Sequence, residues 1–307
     1  MNPMQLITAL GTPLEGEDDA LCVDGLACQL DDQSRAGVPG ILAAGTMGVQ
    51  QMLSDATWRD LVRQTAELSR GRFEVLVGIT DQSLQRVRDR LAYVETLRGV
   101  DGVVVLTPSA MPLTEAERMD FYRAIADASR LPTFLYELAP STGVTLSLDA
   151  LVELSAHPNI AGVKLSASLA KARTLREQTP EAFRVIPADP QMLDVCALSG
   201  IWREHLDGVF AATPDWAVRV TTLAAAGDAE AASRVQQQIN GVLRQWVATG
   251  QVYAAFTATM NARGIPGRFH PKPMRSLTHP VARSMLGGGD VAGLLAETAV
   301  DASVAAS

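Results

Sequence analysis

The stretch TFLYELAPSTGVTLSLDALVELSAHPNIAGVKLS (133–166) decides the fold. It opens on the apolar run TFLYEL (133–138) and closes on IAGVKLS (160–166). Between them Ser147 stands ahead of Leu148, Leu151, Val152 and Leu154, apolar positions at helical spacing behind a residue type that caps helices. Neither flanking run alternates strictly between apolar and polar, which is how parallel strands buried on both faces read. The stretch is a strand–helix–strand unit.

The same unit recurs on both sides. Runs of the strand type are MQLITAL (4–10), GILAAGT (40–46), EVLVGIT (74–80), GVVVLTP (102–108), RVIPAD (184–189) and GVFAAT (208–213). With the first two they make eight, starting 24 to 36 residues apart. Helical spacing fills the gaps: Trp58, Leu61, Val62, Thr65 and Leu68 after Ser54, and Leu84, Val87, Leu91 and Val94 after Ser83. Thr114 and Glu117 carry a capping-box signature ahead of Met119, Phe121, Tyr122 and Ile125. Eight alternations of strand and helix predict an α/β fold, a (β/α)8 TIM barrel. A doubly wound sheet seldom needs eight such even units, and GTPLEG after Leu10 is no dinucleotide fingerprint.

The barrel is expected over 1–226 and a C-terminal helical extension over 227–307, with apolar periodicity at 228–249, 251–263 and 276–286. GIPGRFHPKP (264–273) reads as a connection between helices, and DVAGLLAETAVDASVAAS (290–307) as a last helix that frays. At 307 residues, 47% apolar and net charge −8, the chain is long enough for a large core and too acidic, with no basic run, for a nucleic-acid partner. No segment approaches 18 uninterrupted apolar residues, so no membrane partner is expected. No basic residue precedes Arg35, which leaves no secretory n-region, and a cytoplasmic location is expected. Cys22, Cys28 and Cys196 have neither disulfide-framework nor zinc spacing and read as buried thiols. The histidines 157, 205, 270 and 279 lack metal-ligand spacing and read as surface or capping residues, so no metal site and no cofactor are expected.

Active sites of such barrels lie at the C-terminal strand ends. The polar residues there are Thr8, Thr12, Thr46, Thr80, Thr107, Tyr136, Glu137, Lys164, Ser166, Asp189 and Thr213. Lys164 stands out, because the chain has only three lysines and uses arginine elsewhere. An amine desolvated in a barrel mouth disfavours the ammonium form, and a neutral amine can attack a ketone to form a Schiff base. The bland alternative is a lysine that snorkels outward or pairs with Glu137. Tyr136 ends the neighbouring strand, where a phenol can shuttle protons to an imine; the bland alternative is a core tyrosine. GTMG (45–48) is a glycine-flanked turn whose amides and Thr46 hydroxyl suit a carboxylate, or else an ordinary βα turn. Ser168 to Lys171 fits S-x-x-K without its companion motifs and reads as part of an outer helix. GGGD (287–290) reads as a helix C-cap.

These motifs together resemble the dihydrodipicolinate synthase / N-acetylneuraminate lyase family of class I aldolases. They are LGTP (10–13), GTMG, VVVLTP (103–108), YELAPSTGVTL (136–146), AGVKLS (161–166) and DGVF (207–210), in one order along the chain. The resemblance implies that Lys164 forms a Schiff base with pyruvate or another 2-oxo acid and that Tyr136 relays protons. It implies a substrate-binding set of Thr46, Met47 and Gly48, with Phe210 in the eighth-strand motif. It also implies a homo-oligomer, a dimer or tetramer. The chain departs from the family pattern at Met47 and Val49, where the family has a hydroxyl and an acid. TPSAMPL (107–113) has no aromatic where the synthases carry a tyrosine. Glu137 and Ser141 stand where the family has Asn and the synthases an arginine that grips a second carboxylate. The reading is therefore a pyruvate-type aldolase or a 2-oxo-3-deoxy acid dehydratase rather than the lysine-biosynthesis synthase. The alternatives are a hydratase-aldolase of an arylidene-pyruvate and a non-catalytic 2-oxo acid-binding paralogue.

Overall fold

Valine, isoleucine and leucine dominate eight short strands in the computed structural model, which describes residues 3–143 and 145–305. The strands are β1 Gln5–Ala9, β2 Gly40–Ala43, β3 Glu74–Gly78, β4 Gly102–Leu106, β5 Thr133–Leu138, β6 Ile160–Ser166, β7 Arg184–Pro187 and β8 Glu204–Asp207. All pair in parallel, in the order β8-β1-β2-β3-β4-β5-β6-β7, a nearly closed (β/α)8 TIM barrel. Alternate side chains form an inner core of Ile7, Leu42, Leu76, Val104, Phe134, Ile186 and Leu206, with Tyr136 at its upper edge. The opposite set packs outward under the helices.

The seam between β7 and β8 is crossed by charge rather than by ladder bonds. Arg184 of β7 donates to Glu204 of β8 (Nε to Oε2, 2.7 Å) and to Glu74 of β3 (Nη2 to Oε2, 3.0 Å). Burial opposes the charge on Arg184, yet the two carboxylates hold its guanidinium above its ordinary value.

The expected caps form. Ser54 and Ser147 accept from the amides of Thr57 and Ala150, each at 3.1 Å. Thr114 and Glu117 make the reciprocal capping box. Ser168 caps the helix Leu169–Gln178, as expected of an outer helix. After the barrel helix Pro214–Ala225, the extension runs through helices Ala229–Ala248, Val252–Ala262, His279–Leu286 and Gly289–Ala305. Gly287 is the C-cap expected of the glycine run. Arg263, with its side chain fully buried, ties the extension to the barrel through Asp32 (2.8 Å) and joins two helices of the extension through Thr298 (2.7 Å).

Four expectations need correction. The eighth strand is Glu204–Asp207, and the run 208–213 instead contains the turn Val209–Ala211. The acidic and imidazole side chains of Glu204 and His205 hide the strand from a hydrophobic reading: one joins the Arg184 network, and the other is buried beneath the helices. A two-stranded antiparallel pair, Leu14–Glu15 with Ala20–Leu21, lies outside the eight runs. Cys28 is exposed, unlike Cys22 and Cys196. His205 and His270 are fully buried rather than surface or capping residues, while His279 is exposed, as expected, at the start of a helix. The segment 290–307 is found as the helix ending at Ala305, and the final two residues lie outside the described ones. Among the described residues no helix is long and apolar enough to cross a membrane. Among the same residues no three His, Cys, Asp or Glu side chains are grouped to hold a metal ion.

Candidate active site

Three strand ends meet over the inner core. Tyr136 of β5 and Lys164 of β6 are direct partners in the ladder, so their side chains leave the sheet on the same side. Lys164 is 5% exposed, and its Nζ lies 4.0 Å from the centre of the Tyr136 ring. It does not pair with Glu137, which occupies the other face of β5. There Glu137 accepts a hydrogen bond from the Leu146 amide (2.8 Å), and burial raises its pKa above the usual carboxylate range. Lys171 binds the carbonyl of the same Leu146 at 2.6 Å, so both residues clamp the loop after β5. The Tyr122 hydroxyl donates to the Tyr136 carbonyl at 3.1 Å and fixes the end of that strand from behind.

The third element is the turn after β2. Ala44 and Val49 hold φ of 52° and 49° on either side of GTMG. For a β-branched valine the left-handed region costs about 1–3 kcal/mol, so the surroundings must hold the turn in place. Thr12, from the LGTP segment, donates to the Gly48 carbonyl at 2.6 Å. The Val49 amide donates to the Thr46 carbonyl at 3.0 Å. The Thr46 hydroxyl then reaches the Tyr136 hydroxyl at 3.3 Å. Met47 packs against the inner core and beside Gly208, where a Cβ would stand 2.7 Å from its Cβ and Cγ.

Lys164, Tyr136, Thr46, Met47 and Gly48 thus gather at one end of the barrel. Phe210 belongs to the other layer: it is fully buried in the outer cluster, its ring centre 5.6 Å from that of His205. The side chain of Ser141 lies outside the described residues. Two neighbours of the site were not read from the sequence. Asp207, in β8, has its carboxyl pKa raised by desolvation against the pull of the Lys164 charge. Tyr253, from the helix Val252–Ala262, donates its hydroxyl to the Thr46 carbonyl at 3.2 Å. Nothing local marks Tyr253, because its reach depends on how the extension folds back.

A parallel barrel with a strand-end lysine whose amine lies over a tyrosine ring fits a lyase of the class I aldolase type. The chain belongs to the dihydrodipicolinate synthetase family, whose model matches residues 2–285. It is 32% identical over 235 residues to the 4-hydroxy-tetrahydrodipicolinate synthase of Stenotrophomonas maltophilia strain R551-3, covering 74% of this chain and 75% of that one. The same enzyme from Ligilactobacillus salivarius is 29% identical over 198 residues, 64% of this chain and 67% of the relative. Among solved structures, dihydrodipicolinate synthase from Thermotoga maritima superposes with a TM-score of 0.84 at 18% identity, over 97% and 99% of the two chains. YagE, a prophage protein of the dihydrodipicolinic acid synthase family from E. coli K12 solved with pyruvate, gives 0.83 at 22% identity, over 92% and 96%.

Proposed function

We propose that the chain is a Schiff-base lyase for a 2-oxo acid, a pyruvate-type aldolase or a 2-oxo-3-deoxy acid dehydratase, distinct from the synthase. The observation that carries this reading is the linked set Lys164, Tyr136 and Thr46. Thr46 and the amides of Met47 and Gly48 hold the carboxylate. The Lys164 amine adds to the C2 ketone, and loss of water leaves an iminium that withdraws electrons from C3. In cleavage Tyr136 takes the proton of the C4 hydroxyl, the C3–C4 bond breaks, an aldehyde leaves, and the enamine is reprotonated at C3. In dehydration a proton leaves C3 and hydroxide leaves C4 with a proton returned to it. Water then hydrolyses the imine and frees Lys164.

The departure from the synthase rests on side chains. Glu137 is engaged with Leu146, and the segment after β4 presents Ala110 and a 72% exposed Met111 instead of an aromatic. A second reading, a hydratase-aldolase for an arylidene-pyruvate, draws on the methionines about the mouth: Met52 and Met274, with Val49, Gln50, Gln51 and Tyr253, line a small slot of about 100 Å³ beside Thr46. The same proposal includes a cytoplasmic homo-oligomer with its boundary between barrel and extension near residue 226.

The test is a side-by-side assay of the reaction for which the curated relatives are named, of pyruvate release from 2-oxo-3-deoxy acids and arylidene-pyruvates, and of dehydration. The synthase reaction is expected to run about 10²-fold or more below the best of the others, the scale on which a pocket without a partner rejects an added polar group. Synthase turnover as the leading activity would overturn the distinction. No turnover with any substrate would favour a non-catalytic 2-oxo acid binder.

A further inference from the structure

The extension reaches the mouth through the Tyr253 hydroxyl, which donates to the Thr46 carbonyl. Thr46 in turn addresses Tyr136, whose ring lies under the Lys164 amine. A continuous path of contacts therefore runs from the helix Val252–Ala262 to the lysine. The helix end that carries Tyr253 is itself held. Thr257 bonds the Tyr253 carbonyl at 2.9 Å, accepts from the Phe269 amide at 3.0 Å and meets His270 Nδ1 at 2.9 Å. The adjoining Arg268 exchanges two backbone bonds with Leu14, at 2.8 and 2.9 Å, next to the LGTP segment that holds Gly48.

We propose that Tyr253 is a positioning residue for the 2-oxo acid site, fixing the Thr46 carbonyl so that the turn presents its hydroxyl to Tyr136 and its amides to the substrate carboxylate. The turn needs such support, since Ala44 and Val49 both hold left-handed backbone. Burial, with the neighbouring Tyr136 adding to it, raises the Tyr253 pKa, so the phenol stays a neutral donor. The inference deepens the proposed function and rests on it.

The experiment is borohydride trapping of the Lys164 adduct at varied pyruvate, with the whole chain, its Tyr253→Phe and Thr46→Val variants and the double variant. Tyr253→Phe keeps the ring and is expected to melt within about 3 °C of the parent. It should raise the half-saturating pyruvate concentration about fivefold to tenfold, the scale of one neutral hydrogen bond, with a smaller fall in limiting rate. In the Thr46→Val background the same change should cost a smaller factor, because the hydroxyl that Tyr253 positions is gone while the carbonyl it holds and the turn amides remain. An unchanged pyruvate dependence, or the same factor in both backgrounds, overturns the positioning role while the Schiff-base reading stands. No adduct on the parent chain with pyruvate or a longer 2-oxo acid overturns both.

Discussion

The Lys164 Nζ stands 4.0 Å above the centre of the Tyr136 ring, the two residues being directly paired across β5 and β6. The amine thus contacts the ring face, while the phenol oxygen is left to the Thr46 hydroxyl. One tyrosine supplies both a platform for the lysine and a proton-bearing group at the opposite edge. These two functions separate under mutation.

Tyr136→Phe keeps the platform and removes the hydroxyl. Turnover should fall by about 10²–10⁴, the usual contribution of a positioned acid–base group, while Lys164 still traps pyruvate. Steady-state assay beside intact-mass trapping measures both. Turnover within tenfold of the parent would remove Tyr136 from the proton path.

Gly208→Ala places a Cβ 2.7 Å from the Cβ and Cγ of Met47. Those atoms lie next to the backbone, so the turn itself must shift. A stability loss of about 1–3 kcal/mol is expected for such overpacking, together with weaker use of pyruvate in trapping. A parent-like melt and pyruvate dependence would show that the mouth is looser than the contact implies.

Glu137 is buried, and its carboxyl pKa is raised above the ordinary 4.5 mainly by desolvation. Its neutral form favours the fold, so its contribution is full below 4.5 and is lost as pH rises through the folded value. Glu137→Gln keeps an acceptor for the Leu146 amide and removes the titration. Denaturant titrations at pH 4.5 and pH 8 should show the variant gaining on the parent at the higher pH. A margin that moves toward the parent instead would mean that attraction by Lys171 outweighs desolvation.

His205 behaves oppositely. Burial, aided by the Lys164 charge, pushes its pKa from 6.5 down to about 3. The unfolded chain takes up this proton below 6.5 and the fold does not, so stability present above 6.5 is lost as pH falls toward 3. In His205→Leu the slope of stability against pH between 4 and 6 should be shallower by about 1.4 kcal/mol per unit, one proton's worth. Equal slopes would place the acid sensitivity elsewhere.

The barrel was legible because its strands, buried on both faces, are written as apolar runs, and seven of the eight runs fall on strands. The eighth was displaced because Glu204 and His205 interrupt it, and a hydrophobic reading follows the later Gly208 to Thr213 instead. Lys164 was legible from rarity and position, Tyr136 from the adjoining strand end, and Thr46 from a glycine-flanked turn. Asp207 and Tyr253 were not. The first sits inside the misplaced strand. The second belongs to an ordinary helical pattern whose placement over the barrel mouth is set by tertiary contacts such as Arg263 with Asp32. The buried state of His205 and His270 was likewise hidden, because spacing speaks to metal ligation and not to burial.

In the proposed mechanism Lys164 carries the covalent step. Reduction with borohydride in the presence of pyruvate, followed by intact mass and peptide mapping, tests it most directly. A single stable adduct on Lys164 is expected, lost in Lys164→Ala, with Lys171 and Lys272 unmodified. An adduct on either other lysine, or none on the folded chain with any 2-oxo acid, would contradict it.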